Sequence, residues 1–325
     1  MPVRLPCTPL IRLVLALLLA CGFAGAANAT CTFSSQALNF TSGSTYDVKA
    51  AAVAQITGPA GMTCTGSTVN VLGASVYANG SATSVNGLML KGSNGGSIPY
   101  MLSADPNNVN SFNKTASINF MSTAVLSLVN ILGATSFTPV LYASLAANPP
   151  NIPAGTYTDT VTINWVYQIC TVSVALACVS TENGTGSSVI KITLVVSADC
   201  RISAPNVSFN SAPLASQFGA VSQAVLVDCS LNSSYKVSFS AGTVASGSAR
   251  PWRTMSDGNN HLLQYNIYLA DGVTIWDTTN PQQSATPGTG GVTNQMQSYV
   301  AKVNPAQITP PAGSYTDTVN VIITF

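Results

Sequence analysis

Short runs of alternating apolar and polar residues recur along most of this chain. In residues 157–165, Val161, Ile163 and Trp165 alternate with threonine and asparagine. A period of two is typical of a half-buried β-strand. Similar runs, bounded by Gly, Asn, Ser and Pro, lie at residues 188–196, 235–239, 265–269 and 315–325. No stretch after residue 29 combines a helical period with helix caps, so the pattern predicts an all-β protein.

Two parts of the chain repeat each other. Residues 154–161 read Ala-Gly-Thr-Tyr-Thr-Asp-Thr-Val, and residues 312–319 read Ala-Gly-Ser-Tyr-Thr-Asp-Thr-Val. Landmarks upstream of these two runs recur with the same spacing. Cys31 and Phe40 correspond to Cys200 and Phe209, and Cys64 and Tyr100 correspond to Cys229 and Tyr265. The sequence therefore predicts two immunoglobulin-like β-sandwich domains, residues 30–180 and 181–325, joined by a turn-rich linker near residues 180–188.

The two copies differ at their ends. The second copy stops at Phe325, whereas the first continues past Tyr167 into residues 170–178. A sandwich that lacks its final edge strand exposes an apolar groove and unpaired backbone groups. In the first copy, residues 171–179 alternate apolar and small side chains and are the candidate for that final strand.

The second copy has no comparable segment, so we expect it to be incomplete and to accept a strand from another chain. On the accepting strand, the apolar positions are Val319, Val321, Ile323 and Phe325. Closure of this sheet by a different internal pairing is the alternative.

The first 29 residues have the features of a secretory signal peptide. Two arginines precede an apolar run at residues 13–20, and Ala27-Asn28-Ala29 provides a small-residue cleavage site before Thr30. The apolar run is too short to span a membrane, so we expect an exported chain. Lipid attachment at Cys21 is the alternative.

Six of the eight cysteines follow the predicted signal peptide. An even number in an exported chain indicates disulfides, although six cysteines allow fifteen pairings. The repeat reduces these to Cys31–Cys64, Cys200–Cys229 and, as the remaining pair, Cys170–Cys178. Zinc binding is the competing use of cysteine, but the chain has no CxxC spacing.

Charged residues are scarce. They form 6% of the chain, and the net charge is +1. Such a surface does not attract nucleic acid or anionic lipid through its charge. It suits a subunit of a larger assembly, or a protein that contacts something apolar.

The first copy has an apolar segment where the second copy is polar. Residues 120–133 read Phe-Met-Ser-Thr-Ala-Val-Leu-Ser-Leu-Val-Asn-Ile-Leu-Gly, whereas residues 280–291 are rich in Gly, Gln and Thr. If the segment is an exposed loop, its side chains form a surface-binding patch. The patch would consist of Phe120, Met121, Val125, Leu126, Leu128, Val129, Ile131 and Leu132. The alternative is that residues 125–132 belong to the core of the domain.

Features of an enzyme are weak. His261 is the only histidine and has no partner at a catalytic spacing. Asp159 and Asp317 recur at equivalent positions, as structural residues do, so they do not resemble a glycosidase pair. The glycine-rich residues 92–96 lack the lysine and helix of a phosphate-binding loop. We therefore expect no catalytic residues, no cofactor and no metal.

A series of landmarks in the second copy matches a known family. They are Cys200, Phe209, Asp228-Cys229-Ser230, Arg253-Thr254-Met255, Leu263-Gln264-Tyr265-Asn266-Ile267-Tyr268 and the run 313–325. In this order they resemble the spore coat protein U domain, over residues 189–325. The first copy shares Cys31, Phe40, Cys64, Tyr100 and residues 155–161 but lacks the Arg-x-Met element.

The resemblance implies a pilin domain of archaic, Csu-type chaperone–usher pili, whose subunits receive donor strands from the N-terminal extensions of their neighbours. The implied partners are a periplasmic chaperone, an outer-membrane usher and a neighbouring pilin. If the mature chain begins at Thr30, it has no extension to donate, so we expect it at the cell surface, at the tip of a pilus.

The expected function is therefore attachment to abiotic or host surfaces and biofilm formation, through the apolar loops of the first copy. Recognition of a host glycan by the first copy is one alternative. A role in a spore coat, suggested only by the name of the family, is another.

Overall fold

This computed structural model describes residues 30–65, 76–125, 136–147, 149–174, 177–244, 247–292 and 294–325. β-strands dominate them, which confirms the predicted fold class. The predicted signal peptide and Cys21 lie outside the described residues. Within these residues, no helix is both long and apolar enough to cross a membrane.

The first domain is a β-sandwich around one hydrophobic core. Its elements are β1 (Thr30–Phe33), β2 (Gln36–Asn39), β3 (Gly43–Ser44), α1 (Thr45–Lys49), β4 (Ile56–Pro59), β5 (Met62–Thr65), β6 (Tyr77–Ser84), β7 (Met89–Gly92), β8 (Ser97–Ser103), β9 (Ser117–Asn119), β10 (Ser136–Phe137), β11 (Val140–Leu145), β12 (Gly155–Val174) and β13 (Ala177–Ser197). One sheet has the order β2-β13-β12-β7-β8-β11-β4, with β3 beside β13 and β6 between β12 and β9; β1, β5 and β10 form another. Tyr100, Phe137 and Trp165 are fully buried between them.

The second domain is a smaller sandwich. Its elements are β14 (Cys200–Ser203), the 3-10 helix η1 (Ala215–Gln217), β15 (Val221–Cys229), β16 (Lys236–Phe239), β17 (Arg253–Ser256), β18 (Leu262–Leu269), β19 (Gln282–Gln283), β20 (Gln295–Val303) and β21 (Val321–Thr324). Five strands form the sheet β14-β15-β20-β18-β17, and three form the sheet β19-β16-β21. Val225, Tyr235, Val237 and Trp276 are buried in its core.

The sheet of the first domain is completed by β13. This strand pairs antiparallel with β12 along its whole length and, near its end, parallel with β2, where Ile190 lies opposite Gln36. Its inward-facing side chains are Ile190, Ile192, Leu194 and Val196, each at most 2% exposed. The alternation of residues 188–196 therefore reflects a strand with one face in the core.

The position of this strand corrects two expectations. Residues 180–188, expected to be a linker, lie inside β13, so the first domain continues to Ser197 and the second begins at Cys200. The segment 171–179, expected to complete the first sheet, instead contributes its described residues, 171–174 and 177–179, to the outer part of the β12–β13 hairpin. The composition of residues 180–188 is typical of turns, but pairing with β12 determines their conformation.

All three expected disulfides are present. Cys31–Cys64 joins opposite residues of β1 and β5, and Cys200–Cys229 joins opposite residues of β14 and β15. Cys170–Cys178 links β12 to β13 near the tip of the hairpin. The first two bonds occupy equivalent places in the two domains, as the repeat predicted.

Helix α1 forms one of the contacts between the domains, beside a bridge between Pro153 and Leu231 and a hydrogen bond from Asn151 Nδ2 to the backbone oxygen of Thr289 at 3.0 Å. The hydroxyl of Tyr46 donates to the backbone oxygen of Asp228 at 2.5 Å, and the guanidinium of Arg201 lies 4.2 Å from the centre of the Tyr46 ring. Lys49 Nζ donates to the backbone oxygen of Gly290 at 3.2 Å. Burial raises the pKa of Tyr46 well above its usual value, so its hydroxyl stays a donor.

Candidate functional site

An open groove runs along one side of the second domain. One wall is formed by Ala204, Pro205, Asn206, Val207 and Phe209, and the other by residues 315–319 and Val321. The floor consists of core side chains, among them Phe239, Met255, Tyr265, Ile267 and Tyr299. The cavity volume is about 370 Å³. An elongated opening that reaches the core of a sandwich is the shape that an extended peptide requires.

The strand beside the groove is paired along one edge only, as far as the described residues show. β21 pairs with β16, where Val321 lies opposite Phe239, and Thr316 forms a separate bridge with Ser256. The other edge faces the groove. In the first domain, the corresponding edge of β12 carries β13.

Equivalent residues beside this edge differ in burial between the domains. Tyr157, Asp159 and Val161 on β12 are at most 1% exposed. Their counterparts Tyr315, Asp317 and Val319 are half-buried. On the facing wall, Leu38 and Phe40 are buried, whereas Val207 and Phe209 are half-buried. Ile190, Ile192 and Leu194 of β13 cover these positions in the first domain, and no described strand does so in the second.

The residues predicted for the accepting strand are arranged along this edge. Val319, Val321 and Ile323 pack half-buried against the core, and Phe325 is 62% exposed. The structure thus places two of the four, Val319 and Val321, in the lining of the groove. Their role in accepting a strand stays a prediction.

A carboxylate lies in the wall of the groove. Asp317 accepts hydrogen bonds from the hydroxyl of Tyr265 at 2.6 Å and from the backbone nitrogen of Thr243 at 2.8 Å. In the first domain, Asp159 accepts from the hydroxyl of Tyr100 at 2.7 Å. Burial, assisted by the neighbouring carboxylate, raises the pKa of Tyr265 and Tyr100 far above the usual value, so both remain donors.

Three of the eight predicted surface-binding residues belong to the core. Phe120, Met121 and Val125 are 2%, 6% and 2% exposed, and the Phe120 ring lies 5.2 Å from that of Trp165. Their side chains are therefore not available to an external surface. The other five, Leu126, Leu128, Val129, Ile131 and Leu132, lie outside the described residues, and their exposure stays a prediction.

The strand ends that flank two undescribed segments lie at one end of the first domain. Thr65, which precedes residues 66–75, pairs with Ser136, which follows residues 126–135. Tyr77 begins β6 and pairs with Gln168 of β12, beyond which the β12–β13 hairpin continues. Both segments and the hairpin tip therefore start from the same end of the sandwich.

Two of these three stretches share a sequence motif, and all three are uncharged. Residues 69–75 read Val-Asn-Val-Leu-Gly-Ala-Ser, and residues 129–135 read Val-Asn-Ile-Leu-Gly-Ala-Thr. The hairpin tip, residues 171–177, reads Thr-Val-Ser-Val-Ala-Leu-Ala, and none of the three carries a charge. Of the three, only residues 129–135 overlap the surface-binding segment predicted from the sequence. The shared Val-Asn-x-Leu-Gly-Ala motif is the signal that points to residues 69–75.

The single histidine forms part of an exposed turn. Its Nδ1 lies 2.8 Å from Oδ2 of Asp257, and this hydrogen bond holds the pKa of Asp257 at about 2. Across the described ranges, no group of three or more His, Cys, Asp or Glu side chains could hold a metal ion.

Comparison with protein-family models gives a match to the Spore Coat Protein U domain at residues 20–164 and again at residues 187–322. The chain belongs to the spore coat protein U domain family. Both copies match, so the resemblance seen in the sequence is confirmed. A search of curated proteins found no match to this chain.

Solved structures that match this chain come from pilus systems. One is the CsuC–CsuE chaperone–tip adhesion subunit pre-assembly complex of archaic Csu pili from Acinetobacter baumannii, at 21% identity and a TM-score of 0.62, covering 91% of this chain and 100% of that chain. The CupB6 tip adhesin of Pseudomonas aeruginosa has 10% identity and a TM-score of 0.31, with 92% and 95% covered. At 21% identity, the first match shows that this chain shares the fold of that structure.

Proposed function

We propose that this protein is the adhesive tip subunit of an archaic chaperone–usher pilus. In this proposal, the second domain accepts a donor strand and the first domain contacts the surface. The difference in burial between Tyr157, Asp159 and Val161 and their counterparts Tyr315, Asp317 and Val319 carries the proposal. Membership of the family and the fold shared with the Csu complex support it.

The first domain indicates what the donor strand would look like. Ile190, Ile192 and Leu194 occupy alternate positions of β13 and enter the core. A donor strand with large aliphatic residues at the same spacing would fill the groove, and each would contribute about 1.5–3 kcal/mol. Its backbone would pair with the free edge of residues 315–321.

Several partners would supply this strand in turn. A periplasmic chaperone would cover the groove before assembly, an outer-membrane usher would direct the exchange, and a neighbouring pilin would provide the final strand. The subunit would be exported and would lie at the tip of the pilus. An uncovered groove of this kind favours aggregation, which explains the need for a chaperone.

The surface-binding region would be the end of the first domain where the three uncharged stretches meet. It includes Leu126, Leu128, Val129, Ile131 and Leu132, together with residues 69–75 and the hairpin tip. Apolar contact of this kind needs no specific receptor, because each buried aliphatic side chain contributes about 1.5–3 kcal/mol. It would support attachment to abiotic or host surfaces and biofilm formation.

The test is a double substitution, Leu126→Asp with Leu132→Asp, in piliated cells. We expect attachment to polystyrene to fall at least about tenfold, with an unchanged number of pili in electron micrographs. Thr185→Asp is the control, because it adds a charge at an exposed position of β13. Undiminished attachment would contradict this surface. Saturable binding of one glycan on an array would instead support glycan recognition.

A further inference from the structure

One of the three disulfides has no counterpart among the described residues of the second domain. Cys31–Cys64 and Cys200–Cys229 join the same pair of strands in each copy. Cys170–Cys178 closes a ring at the end of the β12–β13 hairpin. The role of this bond therefore concerns the β12–β13 hairpin, a feature of the first domain without a counterpart among the described residues of the second.

This third disulfide lies where the hairpin leaves the body of the domain. Gln168 is the last residue of β12 that pairs with β6, and Ile169 is the last residue of β12 in the hydrophobic core cluster. Beyond them, the described residues of the hairpin form a two-stranded ribbon whose register shifts after Cys170. Two-stranded ribbons are marginally stable in water. A covalent bond at this point restricts the ribbon where packing no longer does.

The ring encloses one of the three stretches of the surface-binding region. Residues 171–177 are uncharged and contain two valines, two alanines and a leucine. A flexible tip would lose conformational entropy on contact with a surface, and this loss weakens binding. A ring closed by a disulfide has fewer conformations to lose.

We infer that Cys170–Cys178 is a positioning disulfide, which preorganises the hairpin tip for contact with a surface and is not needed for the fold of the domain. This inference rests on the proposed function. Each of the three disulfides has one buried and one partly buried cysteine. What distinguishes this bond is its position: Cys64 and Cys229 belong to the two hydrophobic core clusters and Cys31 and Cys200 pack against them, whereas Cys170 and Cys178 lie outside the cluster of the first domain.

The test replaces both cysteines in the full chain, as Cys170→Ala with Cys178→Ala, and assembles the variant into pili. We expect surface attachment to fall about tenfold. The number of pili should not change, and the thermal unfolding temperature of the purified chaperone complex should stay at the wild-type value. The control is Thr185→Ala, at an exposed position of the same strand.

A second measurement uses wild-type pili that are briefly reduced and then either alkylated or reoxidised. We expect attachment to be lost on alkylation of Cys170 and Cys178, located by mass spectrometry, and restored on reoxidation. Unchanged attachment, or a loss that accompanies a lower unfolding temperature and fewer pili, would overturn the inference. The Leu126→Asp with Leu132→Asp variant separates the two proposals. If this variant and the cysteine variant both attach normally, the proposed function fails. If this variant loses attachment and the cysteine variant does not, only the role of the disulfide fails.

Discussion

A repeated aspartate–tyrosine hydrogen bond connects corresponding strands in the two domains. It joins Asp159 to Tyr100 in the first and Asp317 to Tyr265 in the second. Asp159 is 1% exposed, whereas Asp317 is half-buried beside the groove. The recurrence of these aspartates in the sequence indicated a structural role, and the bonds are consistent with it. Their difference in burial depends on β13, which the repeat alone did not reveal.

Replacing each aspartate by asparagine tests this difference. Asp159→Asn replaces one of two buried carboxylate oxygens, both of which accept hydrogen bonds, by an amide group that donates, and should lower the free energy of unfolding of the first domain by about 1–3 kcal/mol. Asp317→Asn should have a smaller effect, because water reaches its groove. Urea unfolding of the purified chaperone complex, followed by tryptophan fluorescence, measures both. Equal losses would contradict the assignment of one site as covered and the other as open.

At the scale of elements, the sequence predicted the strands better than their partners. The alternation of residues 188–196 predicts a strand. Its place in the first domain depends on pairing with β12 and β2, and such tertiary contacts are not visible in a local pattern. In the same way, composition alone does not distinguish a buried apolar run from an exposed one. Phe120 and Met121 pack into the core although their segment is polar in the second copy.

The place of β13 leads to a prediction about fragments. Residues 30–198 include the strand that covers the first core and should yield a soluble, cooperatively unfolding domain. Residues 30–180 lack Ile190, Ile192 and Leu194, so the core should stay uncovered and the fragment should aggregate. Periplasmic expression followed by size-exclusion chromatography compares them. A soluble, monomeric fragment 30–180 would contradict the closing role of β13.

At the scale of the whole molecule, the two domains are closely joined. Only Ala198 and Asp199 separate β13 from β14, and helix α1 reaches across to the second domain. Thr45 Oγ1 lies 2.6 Å from Ser230 Oγ, next to the contacts of Tyr46. Short connection and direct contact together favour a fixed angle between the domains. A fixed angle would hold the surface-binding end away from the rest of a pilus.

Substitutions at Tyr46 test whether the angle is fixed. Tyr46→Ala removes both the hydroxyl bonded to Asp228 and the ring beneath Arg201, so the distribution of distances between the domains should broaden. Tyr46→Phe keeps the ring and should change the distribution little. Spin labels on the two domains of the chaperone complex would report it. An unchanged distribution in Tyr46→Ala would show that the contact does not set the angle.

The most direct test of the central claim, that the second domain accepts a strand, fuses residues 184–197 to Phe325 through a short turn. The repeat aligns Phe325 with Tyr167, which pairs with Gly184, so the fused segment would reach the groove in the register of β13. We predict that the fused chain is a stable monomer without a chaperone. We expect the unfused chain to aggregate, and so should a control fusion whose added segment carries Ile190→Asp, Ile192→Asp and Leu194→Asp. A chaperone-free, unfused chain that is already monomeric, with an unfolding temperature equal to that of the fusion, would contradict the account.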